Sequence, residues 1–140
     1  MNQMDKPPRL YEWADRKSAQ PVDPALETLV REIIGAVADK WTMLILETLE
    51  AHGTLRFTEL GHKVGDISQK MLTKTLRRME ADGLVTRKVH PVVPPHVDYA
   101  LTELGRSLGA AFCNVWIWAE THSDEIEHAR AAFAARQDVA

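Results

Sequence analysis

The stretch that decides the fold is 57-FTELGHKVGDISQKMLTKTLRRMEADGLVTRKVHPVVPPHVDYAL-101. Its pattern predicts a short helix, a tight turn, a second helix, and then two strands joined by a proline-rich loop. The second helix, from Ser68 to about Asp82, has one apolar face and one polar, cationic face. The apolar face, which we expect to pack inward, contains Met71, Leu72, Leu76 and Met79.

The polar face of this second helix suits the major groove of DNA. Lys70, Lys74 and Arg77 follow the spacing i, i+4, i+7 and therefore form one stripe. Gln69 and Thr73 lie beside the stripe, and amide and hydroxyl groups can read base edges. The alternative is a cationic face that only water contacts, and the pattern alone leaves it open.

Three further residues are candidates for contacts with the phosphate backbone. Arg78 is offset from the stripe, and we expect it to reach a phosphate. Ser68 is the predicted N-cap, and the amide groups at a helix N-terminus can also bind phosphate. Arg87 and Lys88 lie on alternate faces of a strand, so only one can point at a given surface, and we favour Arg87.

A β-hairpin is predicted after the second helix. The segments 84–89 and 97–101 alternate as strands, and the connection 90–96 contains three prolines that stiffen it. His90 and His96 bracket this connection, either as neutral surface imidazoles or as contacts to the DNA backbone. The order of elements predicts a winged helix-turn-helix, a mainly α fold with a small β-hairpin wing (α+β).

Helices are also predicted on the N-terminal side of this module. Residues 1–22 are polar and proline-containing, which indicates a flexible arm. Asp23 and Pro24 are typical of a helix start, and an amphipathic pattern follows them. Its first apolar positions are Leu26, Leu29 and Val30. The helix after Asp39 is apolar nearly all round, so we expect it to be central, with Trp41 in the core.

The C-terminal side predicts one long helix after Thr102, bearing Phe112, and a last helix that begins at Ser123. Trp116 and Trp118 are two residues apart and cannot share a face, so we expect one to pack inward. The other would then face a partner subunit or an effector cavity. Cys113, among apolar neighbours, is expected to be a small buried hydrophobe.

These boundaries divide the chain into three parts. They are the arm 1–22, a DNA-binding domain with dimerisation helices at 23–122, and a C-terminal helix and tail at 123–140.

The charge is unevenly distributed along the chain. Residues 56–96 hold eight Lys/Arg and four acidic residues, so this segment carries 8 − 4 = +4. The whole chain carries −3, so the remainder carries −3 − 4 = −7. A basic module on an acidic body orients a protein on DNA and disfavours contacts through other faces.

Composition and motifs also exclude several classes of protein. The chain of 140 residues, 45% hydrophobic and 26% charged, is typical of a globular domain. It contains no apolar run of membrane-span length and no signal-peptide pattern, so we expect a cytoplasmic location without a membrane partner. It contains no catalytic or nucleotide-binding motif. We therefore expect no enzymatic activity, no cofactor and, with scattered histidines and one cysteine, no metal site.

The sequence resembles the HxlR-type family of bacterial winged-helix regulators of transcription. The resemblance covers about residues 24–118. It is carried by the segments 35-GAVADKWTMLIL-46, 55-LRFTEL-60, 67-ISQKMLTKTLRRMEADGLVTR-87 and 91-PVVPPHVDYALTELG-105. The last two are the most specific, because a generic winged helix does not require either of them.

The resemblance implies a homodimer built from the first helix and the C-terminal helices. It implies binding to double-stranded DNA at an inverted-repeat operator, with one recognition helix per half-site and the wings on the backbone or minor groove. Lys40 and Trp41 match the family's Lys-Trp pair at the start of its second helix. The matches on the recognition helix are Ser68, Gln69, Lys70, Thr73 and Lys74. At the wing tip they are Pro94, Pro95 and His96.

One departure from the family bears on sensing. Members that sense oxidants or electrophiles have a cysteine just before the first long helix, where this chain has 21-PVDP-24. Thiol sensing at that position is therefore excluded, and any small-molecule effector remains unidentified. The combined prediction is a DNA-binding regulator of transcription, with repression as the favoured mode. The alternative is a winged-helix module that binds proteins without sequence-specific DNA binding.

Overall fold

The computed structural model describes residues 23–138. In chain order its elements are α1 (Pro24–Val37), α2 (Lys40–His52), β1 (Leu55–Arg56), α3 (Phe57–Val64), α4 (Gln69–Ala81), β2 (Val85–His90), β3 (His96–Leu101) and α5 (Glu103–Asp138). The predicted order of two helices followed by a hairpin is confirmed. The predicted arm, residues 1–22, lies outside the described residues.

Helix α1 forms a unit of its own. Asp23 is its N-cap, and one of its carboxylate oxygens accepts a hydrogen bond from the Ala25 amide at 3.0 Å. Pro24 occupies the first turn, where a missing amide hydrogen has no consequence. The apolar stripe of this helix is exposed at Leu26, Leu29, Val30 and Ile34, with exposed fractions of 46–60%.

The second unit, which begins at Lys40, contains the hydrophobic core. Helix α2 is central, as predicted, because its apolar side chains lie against those of α3, α4 and the sheet. The buried apolar residues are Ile45, Leu46, Leu49, Leu55, Leu60, Val64, Leu72, Leu76, Met79, Leu84, Val85 and Tyr99. Trp41 is partly buried and packs against this cluster, which agrees with the prediction of a core role.

The sheet is antiparallel, with strand order β1-β3-β2. The short strand β1 lies at one edge of the sheet and pairs Leu55 with Tyr99. Strands β2 and β3 pair from Val85 opposite Leu101 to His90 opposite His96. The wing is therefore a six-residue ladder that closes at a histidine pair.

Gly83 ends helix α4 in a way that only glycine readily permits. Its φ is +75°, and its amide donates to the Glu80 carbonyl at 3.0 Å. The Leu84 amide donates to the Met79 carbonyl at 2.9 Å, which completes a Schellman motif. This turn sends the chain directly from the recognition helix into β2.

The start of α5 is fastened to the same turn. The Thr102 hydroxyl caps the helix by accepting from the Gly105 amide at 3.0 Å, and it donates to the Gly83 carbonyl at 2.6 Å. Gly105 is buried, and a Cβ there would overlap the backbone carbonyl of Leu84. The C-terminal helix and the recognition helix thus share one rigid junction.

The prediction that a separate helix begins at Ser123 is wrong, because α5 runs without a break from Glu103 to Asp138. Residues 110–138 contain neither glycine nor proline, so nothing in this stretch interrupts the helix. Ser123 donates its hydroxyl to the Glu120 carbonyl at 3.2 Å and so bonds within the helix instead of capping a new one. None of the helices within residues 23–138 is long and apolar enough to cross a membrane.

Candidate nucleic-acid interface

The recognition helix α4 begins as the sequence predicts. Ser68 is in the extended region, and its hydroxyl accepts from the Met71 amide at 3.1 Å. This bond satisfies one of the amides that a helix start leaves unpaired. Gln69 and Lys70, in the first turn, are exposed.

The inner face of α4 differs at one position from the prediction. Leu72, Leu76 and Met79 are buried, whereas Met71 is 38% exposed and lies at the edge of the face. Thr75 takes the inner position that Met71 was expected to fill. It can be buried because its hydroxyl donates to the Met71 carbonyl at 2.8 Å, one turn back.

The outer face of α4 brings five of the predicted DNA-contacting residues together. They line one shallow surface depression, and they are Gln69, Lys70, Thr73, Lys74 and Arg77. Thr73 is half-buried and donates its hydroxyl to the Gln69 carbonyl at 2.9 Å, so its oxygen is left to accept a hydrogen bond. Three cations, an amide and a hydroxyl on one open surface match the chemistry of phosphates and base edges.

Arg78 lies beside this surface but points elsewhere. Its Nη2 donates at 2.8 Å to the hydroxyl of Thr42, a residue of α2 that is 1% exposed. Arg78 therefore fixes the position of α4 on α2, a role that the sequence analysis missed. The guanidinium has five N–H donors, so the bond to Thr42 does not prevent a contact with phosphate. That contact stays a prediction.

Lys40 stands at the exposed start of α2. Its Nζ lies 4.9 Å from the centroid of the Trp41 ring, within the range of a cation–π contact. The consecutive residues Lys40, Trp41 and Thr42 thus take three roles. The lysine is exposed, the tryptophan packs on the core, and the threonine holds Arg78.

The wing places the two cations of β2 on opposite faces. Arg87 is opposite Tyr99 in the ladder and shares a face with buried Val85, whereas Lys88 is opposite Asp98. Both cations are exposed. Arg87 therefore lies on the face of the sheet that carries the buried Val85 and Tyr99, and the choice of Arg87 over Lys88 stays a prediction.

The wing tip is exposed at Pro94 and Pro95, and the Val93–Pro94 peptide bond is cis. His96 does not belong to the tip, because it is the first residue of β3 and is half-buried. Its ring stacks on His90, with centroids 4.5 Å apart. Both imidazoles lie close to Asp98, a residue that the sequence analysis did not single out. The signal that could have revealed Asp98 is its spacing, because it lies two residues after His96 in a predicted strand and therefore on the same face.

The candidate dimer or effector residues fall into two groups. Leu26, Leu29 and Val30 are exposed on α1. On α5, Phe112 is partly buried against the core, so it stabilises the protomer itself.

The tryptophans of α5 do not behave as predicted. Trp116 and Trp118 are 62% and 57% exposed, so the prediction that one packs inward is wrong. Cys113 is also exposed, contrary to the expected buried position. Both errors have the same cause. Among residues 113–138 only His122 and Ile126 are half-buried, so this part of α5 does not pack against the core of its own chain.

Comparison with known proteins gives a consistent result. A family model described as HxlR-like helix-turn-helix matches residues 36–127. The HTH-type transcriptional regulator YtfH of Escherichia coli K12, described as uncharacterized, is 41% identical over 96 residues. The match covers 69% of this chain and 75% of that protein.

Solved structures agree with the sequence matches. The transcriptional regulator ytfH from Salmonella typhimurium has a TM-score of 0.62 at 39% identity, covering 72% of this chain and 89% of the other. The reduced form of the transcriptional regulator YodB from Bacillus subtilis has a TM-score of 0.59 at 34% identity, covering 71% and 93%. All three similar proteins are named as regulators of transcription.

Proposed function

The chain belongs to the HxlR-like helix-turn-helix family and is a transcriptional regulator with a helix-turn-helix DNA-binding domain, not an enzyme. From this premise we propose that it acts as a homodimeric repressor in the cytoplasm and binds an inverted-repeat operator. Residues 68–82 enter the major groove, and the wing at residues 90–96 contacts the backbone or minor groove.

The observation that carries the DNA-binding mode is the outer face of α4. Five polar side chains point from one helix into one open depression, while the opposite side of the helix is held by the core. Lys70, Lys74 and Arg77 then neutralise phosphates, and Gln69 and Thr73 read base edges. A face built for docking proteins would instead be expected to expose aromatic or aliphatic side chains.

The exposed apolar residues outside this face support the homodimer. Helix α5 has 36 residues, about 54 Å at 1.5 Å per residue, and extends well beyond its contacts with the core. Its exposed apolar residues include Val115, Trp116, Ile117, Trp118 and Phe133. These residues of α5 and, separately, the exposed stripe of α1 are apolar surface of the kind that a partner covers. A second copy of the chain is the occupant that the family likeness favours.

Dimer symmetry then sets the form of the operator. A two-fold axis relates the two α4 helices, so they read the same half-site in opposite directions, about 34 Å or one helical turn apart. We propose that residues 23–122 hold the DNA-binding face and the dimerisation helices, and residues 123–138 continue α5 without a break. An effector, if one binds, would act by changing the angle between subunits and so the distance between the α4 helices.

Repression follows from the small size of the module. A domain of this size, with α4 and the wing on DNA and α5 on a partner, has little surface left with which to recruit polymerase. Occupying a promoter excludes polymerase without any further contact.

The test is fluorescence anisotropy with the chain's own upstream intergenic DNA and a scrambled duplex, at two salt concentrations. We expect salt-dependent binding that favours the native DNA by about a thousandfold. Gln69→Ala should reduce this preference, while Arg130→Ala, which removes a cation from the distal part of α5, should not. Equal, weak binding to both duplexes would overturn the proposal and favour a protein-interaction module.

A further inference from the structure

His90, His96 and Asp98 form a cluster at the distal end of the β2–β3 ladder, next to the proline loop. Their nitrogen and oxygen atoms lie within 4.8 Å of one another. All three side chains are 21–28% exposed, so the cluster is partly sheltered and still open to solvent on one side. No other such group of three occurs within residues 23–138.

The register of the hairpin explains why these side chains meet. His90 and His96 are directly opposite each other in the last pair of the ladder. Asp98 is two residues beyond His96 on the same strand, and side chains two apart share a face. The three groups therefore occupy adjacent positions on one face, held by backbone hydrogen bonds and not by loop conformation.

The atoms converge in the manner of a ligand set. Nε2 of His90 lies 2.7 Å from Oδ2 of Asp98, and Nε2 of His96 lies 4.0 Å from Oδ1 of the same carboxylate. The stacked rings thus direct both Nε2 atoms at one acid. In a tetrahedral zinc site with bonds near 2.0–2.1 Å, ligand atoms are about 3.3 Å apart. Small rotations of these side chains would reach that spacing.

Although the scattered histidines of the sequence predict no metal site, we propose that His90, His96 and Asp98 bind one Zn²⁺ ion per protomer at the distal end of the β2–β3 ladder. Two imidazoles and a carboxylate are nitrogen and oxygen ligands that Zn²⁺ favours, and solvent on the open side supplies the fourth position. The ion would replace the His90–Asp98 hydrogen bond and join β2 to β3 where the proline loop begins. This site goes beyond the proposed DNA-binding function and does not depend on it.

The groups around Asp98 define what the ion must compete with. In the central strand, Asp98 is opposite Arg56 on β1 and Lys88 on β2. Both cations share its face and can attract the carboxylate. They lower the local affinity for a further cation. We therefore expect a moderate-affinity site.

The experiment uses the full chain, stripped of metal with EDTA and without DNA. Titration with ZnCl₂ alone in a calorimeter should show one site per protomer. Titration with CoCl₂ alone should produce the visible d–d absorption bands of a tetrahedral Co²⁺ site, and ZnCl₂ should then remove them. Neither readout involves DNA, so failure here and failure of the proposed DNA-binding function are distinguishable.

The variants identify the ligands. His90→Ala, His96→Ala and Asp98→Asn should each weaken metal binding by at least about tenfold. That is about the smallest effect usually seen when a residue that only hydrogen-bonds to a metal ligand is removed. His122→Ala is the matched control, because His122 lies 3.2 Å from Glu125 in a comparable surface pair without a third ligand. It should leave binding unchanged.

Circular dichroism and thermal melting should show that each variant keeps its fold. Absence of the Co²⁺ bands in the native chain would overturn the proposal. Undiminished binding in a folded His90→Ala or His96→Ala variant would overturn it equally, and the cluster would then be a hydrogen-bonded cross-strand clamp.

Discussion

Helix α4 exposes one side to solvent and α5 exposes most of its length, and the two exposed regions differ in chemistry. The open face of α4 carries amide, hydroxyl and cationic groups, which water solvates well. The open length of α5 carries Trp116, Trp118 and other apolar residues, which water solvates poorly. The polar face of α4 is stable in water and can bind and release a ligand repeatedly, as reversible DNA binding requires. The apolar part of α5 is more stable when another protein surface covers it, as in a subunit interface.

The strongest test of this comparison is Trp116→Asp, which places a charge in the apolar length of α5. If the proposed homodimer forms through α5, we expect it to dissociate and the affinity for the proposed operator to fall on the order of 100-fold or more, because each protomer then binds one half-site alone. Light scattering after size exclusion gives the oligomeric state, and anisotropy gives the affinity. Arg130→Glu, a charge change on the same helix outside the apolar set, should leave both unchanged. A Trp116→Asp protein that remains dimeric would refute the assignment of α5.

The junction between the two helices is tested by a pair of glycines. Gly105→Ala should lower the free energy of unfolding by about 1–3 kcal/mol, because the added methyl overlaps the Leu84 carbonyl. Gly109→Ala, four residues on, meets no atom within 4 Å and should raise it by up to about 1 kcal/mol. Urea denaturation measures both. Equal effects of the two substitutions would show that the junction is not rigid.

Two adjacent arginines sharpen the division of α4 into an outer and an inner side. Arg78→Ala should lower the free energy of unfolding by about 1 kcal/mol, because the hydrogen bond from Arg78 to the buried Thr42 hydroxyl is lost. Arg77→Ala should leave stability nearly unchanged and weaken DNA binding instead. Thermal melting and anisotropy on both variants separate the two effects. The division would fail if the two variants behaved alike.

The smallest expected effect concerns the outer face alone. Lys74→Ala should weaken binding to all DNA sequences and reduce the slope of log affinity against log salt by about one unit, as for one lost phosphate contact. Stability should not change. An unaltered slope, measured by anisotropy over a salt series, would remove Lys74 from the interface.

The residues show why some positions were predictable and others were not. Helical periodicity was enough to place Leu72, Leu76 and Met79 inside and Lys70, Lys74 and Arg77 outside. It failed at Met71 because that residue lies at the edge of the stripe. At the edge of the apolar stripe, the packing of the neighbouring elements decides whether Met71 or Thr75 is buried.

The C-terminal helix gave errors of a different kind. Trp116, Trp118 and Cys113 were assigned partly from their apolar character, which does not specify what covers a residue. Ser123 was assigned as a cap because serine favours caps, although the uninterrupted sequence around it sustains a helix through that position.

By itself the sequence determined the order of the elements up to Leu101, the two faces of α4 and the wing, because each follows from local spacing, capping and turn residues. The family came from the resemblance of the sequence to known regulators. Only the tertiary structure decided the hydrogen bond between Arg78 and Thr42, the junction at Gly105, and the meeting of His90, His96 and Asp98. The first two join parts of the chain far apart in sequence. The third depends on a strand register, and a shift of one residue would have sent these side chains to different faces.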